Sequence, residues 1–242
     1  MMRKLLTILL LIFSASTASA VDWLISNPIR TVNDAWGTRV LRTIESQLSQ
    51  GHPYSDASLI TWAHEGTHGV NSRLRQISGQ NNAYFLPPDY YVVFSTPQNV
   101  SLANVALAVP QSLRGPNYSL YLVQQQRWWN DSPLYVIDEW VAYRNGAMVA
   151  IELAESRRLS RSGWSEVSFA CEMGVYACVA YWVIKSKAVA YSQLEQLKEF
   201  ILWLVRDTLL IAQRVKEIGG GLHRREVDVW AYKLWVQSGV VQ

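Results

Sequence analysis

Cysteine, histidine and excess charge are all scarce in this chain, and each scarcity narrows the chemistry open to it. There are 2 cysteines in 242 residues, too few for a disulfide framework or a zinc site built on thiolates. Cys171 and Cys178 are seven positions apart. A continuous helix would hold their α-carbons about 10 Å apart, beyond disulfide reach, so they read as core positions two turns apart on one helical face. The charge is balanced: 22 basic residues stand against 19 acidic ones. Arg3 and Lys4 belong to an N-terminal leader (below), so the remaining chain has a net charge of about +1 and no basic stripe of the kind that nucleic acid requires.

Long uninterrupted apolar runs are missing beyond the leader. Met173 to Ile184 is bracketed by Glu172 and Lys185, and Phe200 to Ala212 is cut by Arg206-Asp207. Both are too short to span a bilayer and are expected to be buried core helices. No repeat, Ser-His-Asp pattern or phosphate-cradling loop stands out. Gly219 to Gly221 lacks a following Lys-Ser/Thr and a preceding strand, so it reads as a hinge. Apolar bulk, in contrast, is plentiful. Half of the residues are hydrophobic and 11 are tryptophan, enough for one domain with a sizeable core and incompatible with disorder.

Residues 1–20 have the layout of a signal peptide: basic Arg3 and Lys4, apolar Leu5 to Phe13, and the small-residue site Ala18-Ser19-Ala20. Cleavage there would start the mature chain at Val21 and place it in the periplasm or outside the cell. Residues 21–242 are expected to form one domain, α+β and mainly α. Asn33 to Gln50 has helical apolar spacing that ends at Gly51. A second helix, capped by Ser55 or Asp56, carries Leu59, Ile60, Ala63, Thr67, Val70 and Leu74 and ends near Gly79. Ala83 to Leu86, Tyr90 to Ser95 and Leu120 to Gln125 are strand candidates, with Pro97, Pro110 and Pro116 in loops. Helices are predicted over Leu134 to Arg158, Glu166 to Lys187, Gln193 to Ile218 and Arg224 to Ser238.

Two of the four histidines occur in His64-Glu65-Gly66-Thr67-His68, an H-E-x-x-H pattern in the middle of the second predicted helix. Histidines four residues apart share one helical face and can bind one metal ion, with the glutamate between them directed at a water. Zn2+ is the expected ion, His64 and His68 its ligands and Glu65 the general base. A third ligand must come from elsewhere. Position 74 is Leu and position 71 is Asn, which excludes the elongated metzincin pattern. Glu139, in Asp138-Glu139-Trp140-Val141-Ala142-Tyr143, is the leading candidate. Asp138 is an alternative ligand or a partner of a ligand histidine. Glu152, Glu155 and Glu172 are further ligand alternatives, each otherwise on a solvated helix face. Asn71 suits a supporting position. Tyr143, one turn after Glu139, and His223, after the glycine run, are candidate oxyanion stabilisers; their other readings are a core aromatic and a helix cap. His52 is expected to be exposed in a turn. The tryptophans, Trp128-Trp129 included, either line a substrate cleft or fill and cover a helical core.

H-E-x-x-H on one helix and a glutamate on a later helix resemble gluzincin-type zinc metallopeptidases. The resemblance covers two short stretches, with Glu139 lying 71 positions after His68. It implies a zincin-like fold with a small sheet beside the cleft, whose edge strand aligns the substrate backbone, and Tyr90 to Ser95 or Leu120 to Gln125 are the strands available. It also implies hydrolysis of peptide bonds in a protein or peptide substrate, including the peptide stems of a cell wall, with neither nucleic acid nor a stable membrane span involved. Other readings are a non-catalytic binding or structural protein on the same scaffold, and a chance motif in a helical protein.

Overall fold

The computed structural model describes residues 21–32, 38–52, 56–158, 164–218 and 224–242. Helices dominate, and a small antiparallel sheet packs beside them. The order is β1 (Leu24–Ile25), α1 (Arg39–Gln47), α2 (Leu59–Ser78), β2 (Asn82–Leu86), β3 (Tyr90–Phe94), α3 (Leu102–Ala108), α4 (Gln126–Trp129), α5 (Tyr135–Glu155), α6 (Ser165–Lys187), α7 (Leu194–Ile218) and α8 (Arg224–Ser238). A 3-10 turn, Gln111–Leu113, and a π-helical turn, Ser119–Gln124, lie between α3 and α4.

Helix α2 has clear local causes. Ser58 caps it by accepting the Thr61 N–H through Oγ at 3.3 Å. Gly79 ends it in the left-handed region at φ 67°, with its N–H on the Arg75 carbonyl. Only a residue without a Cβ takes that φ cheaply. The cap is Ser58 rather than Ser55 or Asp56. Asp56 instead accepts the Ser58 N–H, and Ser55 lies outside the described residues. Among the described residues of the first predicted helix, α1 spans Arg39–Gln47. Leu48 is already extended, and Trp36 lies outside the described residues.

The strand order is β1-β3-β2. Register runs from Asn82 opposite Phe94 to Leu86 opposite Tyr90, with Leu24 opposite Tyr91. Every residue of β2 is buried: α2 and α5 pack beside it, and Tyr84 stacks on Phe200 of α7 at 5.7 Å. Of the strand expectations, one holds with a change of place and one fails. Tyr90 to Ser95 forms β3 and is the central strand: β2 pairs along its length, β1 pairs with Tyr90 and Tyr91, and the Gln193 side chain takes the Val93 carbonyl and the Ser95 N–H. Leu120 to Gln125 is not a strand at all: the Gln125 N–H bonds to the Leu120 carbonyl, five residues back. Adjacent Tyr121 and Leu122 are both buried, so burial does not alternate as it does in a half-buried strand. A continuous apolar run such as Leu120 to Val123 does not reveal which period it follows.

Helix α6 is the centre of the molecule. Among the described residues it is the one helix long and apolar enough to cross a membrane, and it is surrounded by α5, α7, α8 and α3. A helix apolar on all sides belongs either in lipid or in a core. Here Cys171, Met173, Tyr176, Cys178 and Ile184 are sealed inside the protein, and both thiols are unpaired. Burial pushes the two thiols up to about 12.

Candidate metal centre

Helices α2 and α5 face each other, and their facing turns carry the site. His64 and His68 lie on one face of α2, with their Nε2 atoms 3.3 Å apart. Glu139 of α5 places Oε2 at 3.5 Å from the first and 3.6 Å from the second. Three donor atoms on a tetrahedron with bonds of about 2.0–2.1 Å stand roughly 3.3–3.4 Å from one another. The triangle therefore has the dimensions of a zinc-sized site, and these residues could hold a metal ion.

The wiring around the triangle fits the same use. Asp138 Oδ2 stands 2.6 Å from His68 Nδ1. With a proton on Nδ1 pointing at that carboxylate, Nε2 presents its lone pair to the triangle. Glu166 Oε2 stands 3.7 Å from His64 Nδ1 in the corresponding position. When both imidazoles are neutral and carry their proton on Nδ1, two lone pairs and a carboxylate oxygen converge with no donor between them. Glu139 Oε2 is buried and has no hydrogen-bond partner, a costly arrangement unless a cation completes it. The charges agree. Asp138, Glu139 and Glu166 supply three negative charges and Arg75, 3.3 Å from Asp138 Oδ1, returns one. A divalent cation balances the remaining two.

Burial works against charge on His64 and His68. The carboxylates of Glu139 and Glu166 at His64, and of Asp138 and Glu139 at His68, outweigh it and hold both imidazoles above their ordinary value. Burial would raise the Glu139 carboxyl, yet the two histidines hold it well below the usual carboxylate range. The cluster thus stabilises positive charge at its centre.

Second-layer contacts fix these groups to the fold. Asn71 donates Nδ2 to Asp138 Oδ1 at 2.8 Å and accepts the Phe85 N–H through Oδ1 at 2.7 Å. Asn145 of α5 donates to the Phe85 carbonyl and to Thr67 Oγ1. Both backbone groups of Phe85 are therefore taken by side chains of α2 and α5, so this part of β2 does not offer a strand edge to a substrate either.

Glu65 is half-buried on α2. Among the described residues its carboxylate makes no hydrogen bond or ion pair, and its charge bears on Tyr121. The ring of Tyr143 packs edge-on against His64 with centroids 4.3 Å apart, and its hydroxyl is 2.6 Å from that of Tyr121. Burial raises both hydroxyls well above the ordinary tyrosine value; carboxylates led by Glu139 add to this at Tyr121, where the Tyr143 hydrogen bond offsets it in part, and Tyr121 and then Glu139 add to it at Tyr143, so both stay protonated. One proton joins the pair, and the other is left to donate elsewhere.

Of the remaining sequence candidates, His223 lies outside the described residues. Glu155 is an exposed partner of Arg214. Glu152 accepts the Val40 N–H and pairs with Arg39. Glu172 is fully buried, not solvated, because a loop closes over it. His52 is not an exposed turn residue: its ring lies against α2, where a Cβ on Gly69 would come 2.6 Å from His52 Cε1. Trp128 and Trp129 do not fill the core and are exposed.

Three site residues were not foreseen. Tyr135 faces the Glu139 carboxylate from one turn earlier on α5, and helical spacing from Glu139 would have found it. Tyr121 was hidden by the strand assignment. Glu166 is an ordinary first-turn acid of α6 by pattern, and only the fold brings it to His64.

Compared with known proteins, the chain matches no family model, no curated protein and no solved structure.

Proposed function

We propose that this protein is an exported zinc-dependent peptidase of zincin-like architecture, with Glu65 as general base. The observation that carries the proposal is the convergence of His64 Nε2, His68 Nε2 and the unpartnered Glu139 Oε2, with Glu65 next to His64 in the sequence of α2. A purely structural metal site has no need of Glu65.

His64, His68 and Glu139 would hold the ion, and when bound it would supply Lewis-acid activation of water and carbonyl. The chain's own residues do the rest. Asp138 keeps a proton on the outer nitrogen of His68, the Glu166 carboxylate faces that of His64 from 3.7 Å, and Asn71 and Arg75 hold Asp138 in turn. Glu65 takes the proton of the attacking water and passes it to the leaving amine. The hydroxyl proton left over from the Tyr121–Tyr143 pair donates to the carbonyl oxygen as negative charge develops there. β1 pairs with the first residues of β3, Gln193 takes its Val93 carbonyl, and side chains of α2 and α5 take both backbone groups of Phe85, so side-chain contacts around Tyr121, Tyr143 and α4 would take on more of the substrate positioning.

Glu65→Gln separates binding from chemistry. The variant should retain bound zinc and lose peptide hydrolysis by about a thousandfold or more, judged with a peptide-library digest read by mass spectrometry. Hydrolysis at the wild-type rate in this variant would remove Glu65 from the mechanism.

A further inference from the structure

Around Tyr121 the molecule exposes apolar surface that its core does not use. Leu107 of α3 is 80% exposed. In the π-helical turn Leu120 is 41% and Val123 46% exposed, and in α4 Trp128 is 69% and Trp129 41% exposed. These elements are neighbours. Helix α3 contacts both the π-helical turn and α4. The Tyr118 hydroxyl donates to the Ala106 carbonyl at 3.0 Å, and the Leu102 N–H donates to the Asn130 carbonyl at 2.8 Å. Leu120 and Val123, three residues apart, share one side of their turn.

The charge of this region is mainly positive. Residues 90–130 contain no aspartate or glutamate and two cations, Arg114 and Arg127, both exposed, and one exposed acid, Asp131, follows α4. Each guanidinium lies over an aromatic ring, Arg114 over Tyr118 at 4.6 Å and Arg127 over Trp128 at 5.2 Å. Lys233 adds a cation at the margin, donating to the Ser112 carbonyl at 3.0 Å. Aliphatic tips, indoles and an excess of cations over the single acid Asp131 make up a surface suited to a lipid headgroup layer. The aliphatic groups enter the acyl boundary, the indoles lie at the interface and the guanidiniums meet phosphates. A two-fold contact with a second copy would bring the excess positive charge of the two chains together.

We propose that the face formed by α3, the π-helical turn and α4 docks peripherally on an anionic lipid bilayer. This does not rest on the peptidase reading, but the two meet at Tyr121. Its hydroxyl reaches Tyr143 at the candidate metal centre, while the flanking Leu120 and Val123 belong to the docking face. Docking holds the centre beside the membrane and favours substrates presented there.

The test is co-sedimentation of the full chain with vesicles of phosphatidylcholine alone or with about one quarter phosphatidylglycerol. Wild type should bind the anionic vesicles and bind the neutral ones much more weakly. The combined Leu107→Ser, Val123→Ser and Trp128→Ser variant should bind roughly tenfold more weakly or worse. Arg114→Gln and Arg127→Gln should each cost about fivefold. Ile25→Ser, an exposed apolar position on β1, should bind as wild type does. Trp128→Ser alone, at roughly threefold, keeps the test decisive if the combined variant folds poorly. The proposal falls if wild type ignores anionic vesicles, or if the Trp128→Ser and combined variants bind as well as wild type, as they would if the apolar N-terminal segment carried the binding. It also falls if Ile25→Ser loses as much as they do. A change in oligomeric state of the combined variant without lipid would make the face a protein interface and overturn the proposal as well.

Discussion

Glu172 and Glu139 sit on neighbouring helices, α6 and α5, and both are out of solvent. Their surroundings are opposite in kind. The Glu172 carboxylate accepts the Asn117 N–H at 2.9 Å, Asn117 Nδ2 at 3.0 Å and the Tyr176 hydroxyl at 2.7 Å. Those donors close a loop over it so tightly that a Cβ on Gly115 would come 2.5 Å from Glu172 Oε1. Glu139 Oε2 instead faces two imidazole nitrogens and has no hydrogen-bond partner. A buried carboxylate met by fixed donors is a structural anchor, whereas one facing imidazole nitrogens needs positive charge there, from their protons or from a metal cation. Burial alone does not separate the two roles; the sign of the groups facing the oxygen does.

The largest contrast should come from truncating each carboxylate in turn. Glu139→Ala should weaken zinc binding by about three orders of magnitude and leave the fold intact. Glu172→Ala should leave zinc binding unchanged and destabilise the fold by about 3 kcal/mol, because the Asn117 and Tyr176 donors lose their acceptor in the interior. Isothermal titration with zinc and denaturant unfolding of both variants would show it. If Glu172→Ala lost the metal and Glu139→Ala kept it, the two assignments would have to be exchanged.

A smaller effect is expected one layer out. Asp138→Asn removes the charge that orients His68 and should weaken zinc binding by about ten- to a hundredfold, without affecting the Glu172 anchor. Unchanged affinity in that variant would mean that Asp138 serves only to hold Asn71 and Arg75.

The smallest effect concerns pH. Burial raises the Glu172 carboxyl, and the Tyr176 and Asn117 hydrogen bonds offset this only in part. The folded state therefore holds that proton more tightly than the unfolded chain. The stability it contributes is complete below the ordinary carboxylate range and is lost as pH rises through the raised value. Glu172→Gln should accordingly flatten the decline in stability as pH rises above the ordinary carboxylate range, measured as the difference from wild type in unfolding midpoints. A wild type whose stability rose through that window relative to Glu172→Gln would reverse the sign of the argument.

How much of this was legible beforehand depended on whether it was a local property. The long helices and the β2–β3 pair follow from apolar period, caps and proline placement, and the His64, His68 and Glu139 constellation follows from helical spacing and ligand chemistry. Helix α3 was passed over because seven residues between prolines read as loop, although Ser101 and Asn104 form a capping box there. The π-helical turn was misassigned because its four consecutive apolar residues carry no period. Glu172 was placed on a solvated face because nothing local to α6 announces that Gly115 and Asn117 close over it. Glu166 and Tyr121 likewise become site residues only through contacts across long stretches of chain, which composition and periodicity do not encode.

The central claim is that two imidazoles and Glu139 converge to hold one divalent cation. Metal analysis of the purified protein after exposure to zinc and exhaustive dialysis tests it most directly, alongside His64→Ala. The wild type should retain about one equivalent of zinc and His64→Ala almost none. A wild type that retained no zinc, or a His64→Ala variant that kept a full equivalent, would contradict it.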